Sequence, residues 1–417
     1  MIWISIILIT ILVVFAYYDI YLFLKQWLWL RKVNQRGNWT NCDAMSNAVF
    51  NAGLNMAHTQ FIFMPFKKKE ALLHEIKADI FRRTKHRKDQ QSWVYGWNKA
   101  FLYDGVLKNA IDNEREEIHE LKQLFDRFYI NEDGSLRFEF HTIHQVPFAS
   151  AACRLYEYYQ EYKYKFFCDY VFNRLIEWKD KNNVLGYYSS VKKETVSTEN
   201  YVDQLGMTIP FLVLYYETFH VSEALEIAKD NMDFWIKHGT DENGLPHYNI
   251  CKERIGMNNW GRGIAWYILG LLPLLRYSDT YIEVAKKLSS TLTVLQMSEG
   301  FWGQFVGFPS HLDSSSTIPI LYLKHQLGEL DSSDINRLLR HWVNNQGQIF
   351  NCSGETYGGY RYSEIFGTSD FIQGITLSLI SDIANEKTIT GGGNSKQLLR
   401  MWKLYASLPQ IVHQNAA

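Results

Sequence analysis

Residues 221–275 run VSEALEIAKDNMDFWIKH, then GTDENG, then LPHYNICKERIGMNNWGRG, then IAWYILGLLPLL. The first block places polar side chains on one helical face, and the second is a polar turn closing on Gly244. An aromatic stretch follows, and the last block is apolar on nearly every face. This order recurs along the chain. Comparable turns are NEDGS at Gly134, NNVLG at Gly186, SEG at Gly300 and NQG at Gly347, so the five glycines lie 52, 58, 56 and 47 residues apart. The more apolar helices are expected to begin near Trp97, His144, Tyr201, Trp260, Ser314 and Ser369. A helix apolar on most faces, paired with one apolar on a single face, suits two concentric rings. The expected fold is all-α, an (α/α)6 toroid of six helical hairpins. An open solenoid of the same hairpins is the alternative. In either, the loops entering the inner helices gather on one face.

Composition agrees with a large helical core. Of 417 residues, 47% are hydrophobic and 21% charged, which excludes a disordered chain. Eight prolines and few alternating Val/Ile/Thr runs argue against a sandwich or barrel. Aromatics reach 15%, which fits an aromatic core or a cleft lined by ring faces. Cys42, Cys153, Cys168, Cys251 and Cys352 show no metal-ligand or disulfide-framework spacing. With no Gly-rich phosphate loop and no ligand cluster, no cofactor and no metal are expected. The net charge of -1 argues against a nucleic-acid partner.

The N-terminal end differs from the rest. Met1–Tyr18, MIWISIILITILVVFAYY, carries no charge and is nearly long enough to cross a hydrocarbon core of about 30 Å. It lacks a basic start and a small-residue cleavage site, so it reads as an uncleaved transmembrane anchor. YDIYLFLKQWLWLRK follows as a helix end or short interfacial helix. The expected layout is therefore an anchor at 1–37, with residues 1–30 in contact with lipid, and one domain at 38–417. Residues 25–90 hold 13 Lys/Arg against 5 Asp/Glu, including Lys67, Lys68, Lys69, Arg82 and Arg83. The positive-inside rule then puts the domain in the cytoplasm of a bacterial inner-membrane protein. A role on secreted polysaccharide favours the opposite side, and charge alone leaves both open.

The chemistry is to be sought at the six inner-helix starts. At the third stands TENYVDQLGMTIPFLVLYY, with Asp203 near the helix start; at the fourth stands WGRGIAW, with Trp260, Arg262 and Trp266. The commonest use of an Asp there is a helix cap or first-turn carboxylate, and a buried Arg can simply bridge loops. Together the segments resemble the D-x-L-x-M-x-x-P-F-L and W-x-R-G-x-x-W segments of unsaturated uronyl hydrolases, glycoside hydrolase families 88 and 105. Weaker similarities cover the chain from about Trp93, in IHQVPFASAACRLYEYY, GFWGQ and HLDSSSTIP.

The resemblance implies an (α/α)6 barrel that releases an unsaturated uronic acid by hydrating a vinyl ether. It implies that Asp203 is general acid and base. Arg262 would bind a substrate carboxylate, with Trp260 and Trp266 offering ring faces. His144, His247, Trp302, Gln304, Ser315 and Thr317 would line the substrate, an oligosaccharide. One departure stands out: His141 occupies the position of the family's second catalytic Asp, and Gln145 and Val146 replace its Pro-Gly. Ile264 replaces an Asn. Three readings follow: a membrane-anchored hydrolase of the unsaturated uronyl type, a catalytically silent glycan-binding component of a polysaccharide assembly system, and a lyase or saturated-glycan hydrolase on the same fold.

Overall fold

The computed structural model describes residues 2–59, 65, 95–186, 199–251, 254–297, 300–356 and 362–385. The basic cluster from Lys67 to Lys88 lies outside them, and so does Tyr360, which the sequence offers with Glu355 and Asp370 as a rim residue at the sixth inner-helix start. Helices α1 (Ile2–Val33) and α2 (Cys42–Ala57) come first, then α3 (Trp97–Asp112) and α4 (Ile118–Tyr129). They are followed by α5 (Pro147–Tyr159), α6 (Tyr162–Trp178), α7 (Asp203–Phe219) and α8 (Ser222–His238). The rest are α9 (Gly261–Leu271), α10 (Asp279–Val294), α11 (Ser314–Gln326), α12 (Ser332–Leu339) and α13 (Asp370–Ala384).

Burial sorts these helices into two rings. Every residue of α9 is buried, as is every residue of α11 from Ser314 to His325 and of α13 from Asp370 to Ile383. α6 instead buries one stripe: Tyr164, Phe167, Cys168, Val171, Phe172, Leu175 and Trp178, at three- and four-residue spacing. The inner ring is α3, α5, α7, α9, α11 and α13, each packed on the next. α13 returns to pack on α3, so the ring is closed and the solenoid alternative falls. At that closure a Cβ on Gly105 would lie 2.0 Å from the Gly374 carbonyl oxygen, so only glycine lets the two backbones meet. α4, α6, α8, α10 and α12 form the outer ring, with α2 against α3 and α13 beside the closure.

The inner helices begin at or within three residues of the expected places. The turns need one correction. In four of them the left-handed residue is the expected glycine, Gly134, Gly244, Gly300 and Gly347, but in the second it is Asn183 at φ 59°. Asn tolerates this conformation, and Asp180 reinforces the turn by accepting from the Asn182 and Val184 amides.

The expectation of an all-α chain is corrected at the mouth, where two small sheets sit. Strands β1 (Glu199–Tyr201), β2 (Asn249–Cys251) and β3 (Arg254–Ile255) form an antiparallel sheet, with Tyr201 opposite Asn249. Strands β4 (Cys352–Ser353) and β5 (Phe366–Gly367) form a second.

The 32 residues of α1 form one helix through Tyr18 and on to Val33, so the segment after Tyr18 is a helix end and not a separate short helix. Among the described residues, no helix is long and apolar enough to cross a membrane. The base of α1 is fastened to the toroid. Asn344 Nδ2 donates to the Val33 carbonyl at 3.0 Å, Asn34 Nδ2 to that of Phe366 at 2.8 Å, and Gly37 N to that of Val343 at 2.8 Å.

Candidate active site

Sheet β1–β2 joins the third and fourth loops and so sets the site. The Val202 amide donates to the Tyr248 carbonyl at 2.9 Å, bringing Asp203, the first residue of α7, up to the Tyr248 side chain. Asp203 is 6% exposed, and its Oδ1 has no hydrogen-bond partner. Burial pushes its carboxyl up to about 7; the Arg262 charge, and hydrogen bonds from Tyr248 and Trp266, act the other way. The carboxyl is thus half-protonated near neutral pH.

Arg262 lies in the first turn of α9 and is buried. Its Nε donates to Ser315 Oγ at 3.1 Å and its Nη1 to the Gly354 carbonyl at 3.0 Å. Nη2 donates to Ser353, at the backbone carbonyl and at Oγ. Ser315 Oγ in turn donates to Asp313 Oδ1 at 2.7 Å. Of the two expected uses of Arg262, this arrangement is the loop bridge: the guanidinium ties the fourth loop to the fifth and sixth, and acts on Asp203 through its charge.

The aromatic residues divide. Trp266 packs its ring against Phe371, Trp97 and Phe101, at centroid distances of 4.7, 5.4 and 5.5 Å, at the inner-helix starts beside Asp203. Trp260 meets Tyr248 edge to face at 4.8 Å and lies against Tyr362, with its ring nitrogen unpartnered. Trp302 is different: it is fully buried, and its ring nitrogen donates to the Leu292 carbonyl at 2.8 Å. It belongs to the wall between α10 and α11, not to a substrate surface. Thr317 shares that wall, exchanging hydrogen bonds with the Trp302 backbone at 3.1 and 3.0 Å. Ser315 serves Arg262, and Gln304 Nε2 donates to the Ser363 carbonyl at 2.9 Å. These four positions support the site rather than line it.

The histidines also move from their expected places. His247 Nδ1 lies 2.8 Å from the Gly256 carbonyl oxygen, so the ring turns toward the β2–β3 side. Its neighbour Tyr248 faces Asp203, as alternation along an extended chain requires. In the second loop Gln145 completes a capping box with Thr142 and accepts from the His141 amide at 2.9 Å, so it replaces Pro-Gly as the staple of this turn. His141 Nδ1 lies 2.9 Å from the Glu139 carbonyl oxygen. The His144 ring is held down to about 4 by burial and by the nearby His141, so it is neutral at physiological pH. The polar groups acting on Asp203, namely Arg262, Tyr248 and Trp266, all come from the fourth repeat.

Tyr248 was not legible as a site residue, and Glu355 was legible only as a rim residue of the sixth loop, without a role. Tyr248 adjoins the histidine that the motif drew attention to. Glu355, in the sixth loop, is largely buried, and burial pushes its carboxyl up to about 7 against the lowering charge of Arg262. Among the described residues, no group of three His, Cys, Asp or Glu side chains is arranged to hold a metal.

A buried carboxyl with a raised pKa beside an arginine, at the aromatic mouth of a six-hairpin toroid, marks a catalytic-site candidate. The sequence profile of Glycosyl Hydrolase Family 88 matches residues 74–385, and the chain belongs to that family. It is a glycoside hydrolase. Among curated proteins none matches the sequence. Solved structures share the fold at low identity. A possible member of family 105 from Salmonella enterica serovar Paratyphi A has 15% identity and a TM-score of 0.63, over 85% of this chain and 97% of that one. A family 105 glycoside hydrolase from C. acetobutylicum has 16% identity and a TM-score of 0.58, over 74% and 98%. An unsaturated glucuronyl hydrolase specific for heparin has 13% identity and a TM-score of 0.59, over 82% and 96%.

Proposed function

We propose that this enzyme removes an unsaturated uronic acid from the end of a lyase-generated oligosaccharide by hydrating its vinyl ether. The observation that carries the reading is Asp203. A carboxyl that protonates carbon near neutral pH must hold its proton there, and burial gives it that property while leaving Oδ1 without a protein partner. Protonation of C4 develops positive charge at C5, water adds at C5, and the resulting hemiketal opens with loss of the sugar. Trp260, Trp266 and Tyr248 supply apolar walls that keep the carboxyl desolvated, and Tyr248 orients it.

Incubating the full chain with a panel of lyase-generated oligosaccharides, and following loss of the double-bond absorbance, tests the reading. Turnover that disappears in Asp203→Asn supports it. A new double bond appearing in saturated glycan would instead mean a lyase. A second reading, glycan binding without turnover, draws on His141 in place of an acid; binding without product release would favour it.

We further propose that α1 fastens the enzyme to a bilayer. Trp3, Ile4, Ile6, Ile9, Val13, Tyr17, Ile20 and Leu24 are exposed along it, and Arg31 and Lys32 follow at its last turn. Recovery of the full chain in the soluble fraction after cell lysis would overturn this. Protease protection in inverted against right-side-out vesicles would assign the side on which the toroid lies.

A further inference from the structure

We propose that Glu355, on the sixth-loop segment that Arg262 and Tyr248 hold in place, is the second acid–base carboxyl of this site and works with Asp203. The inference rests on the hydration reading above and adds to it the group that receives the proton of the attacking water.

The geometry is a short segment of the sixth loop folded around groups that also face Asp203. Arg262 holds the two residues before Glu355, with Nη2 on Ser353 Oγ at 2.6 Å and Nη1 on the Gly354 carbonyl at 3.0 Å. The Gly354 amide donates to the Ile365 carbonyl at 3.1 Å, extending the β4–β5 pairing up to the glutamate. Gly354 is itself confined, since a Cβ there would lie 2.3 Å from the Pro65 carbonyl oxygen. The residue after Glu355, Thr356, shares a side-chain hydrogen bond with Tyr248, which also bonds Asp203. Glu355 is thus fixed on both sides by the two groups, Arg262 and Tyr248, that act on the third-loop carboxyl.

Charge makes this arrangement useful. One guanidinium balances one carboxylate, and both carboxyls are pushed up to about 7 by burial. Near neutral pH either carboxyl can therefore hold or release a proton, as one acid and one base require. Asp203 transfers its proton to C4 as the C4–C5 double bond supplies the electron pair. Water oxygen then bonds C5, and the O–H bond that breaks gives its proton to the Glu355 carboxylate. One water is consumed, and proton exchange through solvent returns the pair to its starting state.

The test compares Glu355→Gln and Glu355→Asp with the parent full chain on the same unsaturated oligosaccharide, recording kcat and KM across pH. The parent should show a bell centred near neutral pH. Glu355→Gln should lower kcat about a hundredfold or more with little change in KM, and the acidic limb should vanish while the alkaline limb remains. Glu355→Asp should recover part of kcat with its acidic limb at lower pH. This second variant also serves if Glu355→Gln fails to fold. Parental kcat and an intact acidic limb in these variants, with Asp203→Asn inert, would overturn the role of Glu355 and leave the hydration reading standing. A parent chain inert on every unsaturated oligosaccharide would overturn both.

Discussion

Gly206 and Trp266 meet with no room for a side chain between them: a Cβ on Gly206 would lie 2.6 Å from Cε3 of Trp266 and 2.9 Å from its carbonyl oxygen. This contact locks the first turn of α7 to α9 and holds Trp266 beside Asp203. Gly206→Ala should force the two helices apart, lowering stability by about 1–3 kcal/mol despite alanine's better helix propensity. Denaturant unfolding would measure the loss. Turnover per folded molecule should fall as well, because Trp266 moves with the clash.

Arg262 and Asp203 are coupled by charge, and the coupling has a sign. The guanidinium lowers the Asp203 pKa, so Arg262→Met should raise it and move the alkaline limb of the kcat/KM profile to higher pH. The same change strands the Gly354 carbonyl and Ser353, lowering stability by about 2–4 kcal/mol. Arg262→Lys keeps the charge but not the spread of donors. It should restore the pH limb better than the stability.

Asp203 itself should oppose folding at high pH. Its native pKa near 7 lies above its ordinary value of 3.8, so between these values the folded chain binds the proton more tightly than the unfolded one. The contribution of Asp203 to stability therefore falls as pH rises from about 4 to about 7, and stays low above that. Asp203→Asn removes this slope. The variant should match the parent near pH 4 and exceed it near pH 8 by about 4 kcal/mol while being inactive. Melting curves at the two pH values decide the matter, and equal stability differences at both would count against a buried, neutral Asp203.

Trp302 and Trp260 both look like sugar-stacking residues in the sequence, and they should separate on mutation. Trp302→Ala should lower stability by about 3–5 kcal/mol with little effect on KM for the molecules that remain folded. Trp260→Ala removes the ring against Tyr248 and should raise KM as well.

The fold was legible because periodicity and turn chemistry are local. The inner helices are mostly apolar for the same reason, enclosure by an outer ring, and that shows as apolar residues spread over more than one helical face. Asn183 was missed because glycine is the stronger turn signal, though asparagine satisfies the same dihedral. Asp203, Arg262, Trp260 and Trp266 were legible from their motifs, but what Arg262 touches was not. Its partners Ser353 and Gly354 are 91 and 92 residues away in the chain. Glu355 was legible as a rim residue but its role was not, for the same reason: its environment is made by loops from three different repeats. His247 was favoured over Tyr248 because motif matching gives a position but not the face of an extended strand.

The closure between the first and last inner helices sets an order on the birth of this molecule. Lys99 and Asp370 form an ion pair at 3.1 Å with both side chains wholly enclosed, and 271 positions separate them in the chain. A growing chain carries Lys99 from early in its synthesis, but its counter-ion emerges only with α13. Until then the lysine can donate to the Met56 carbonyl but lacks its counter-ion, and a closed ring would leave its charge uncompensated. Five-sixths of the protein must therefore wait as an open arc, so a nascent chain stalled before Asp370 is a substrate for chaperones and proteases, not a smaller working enzyme.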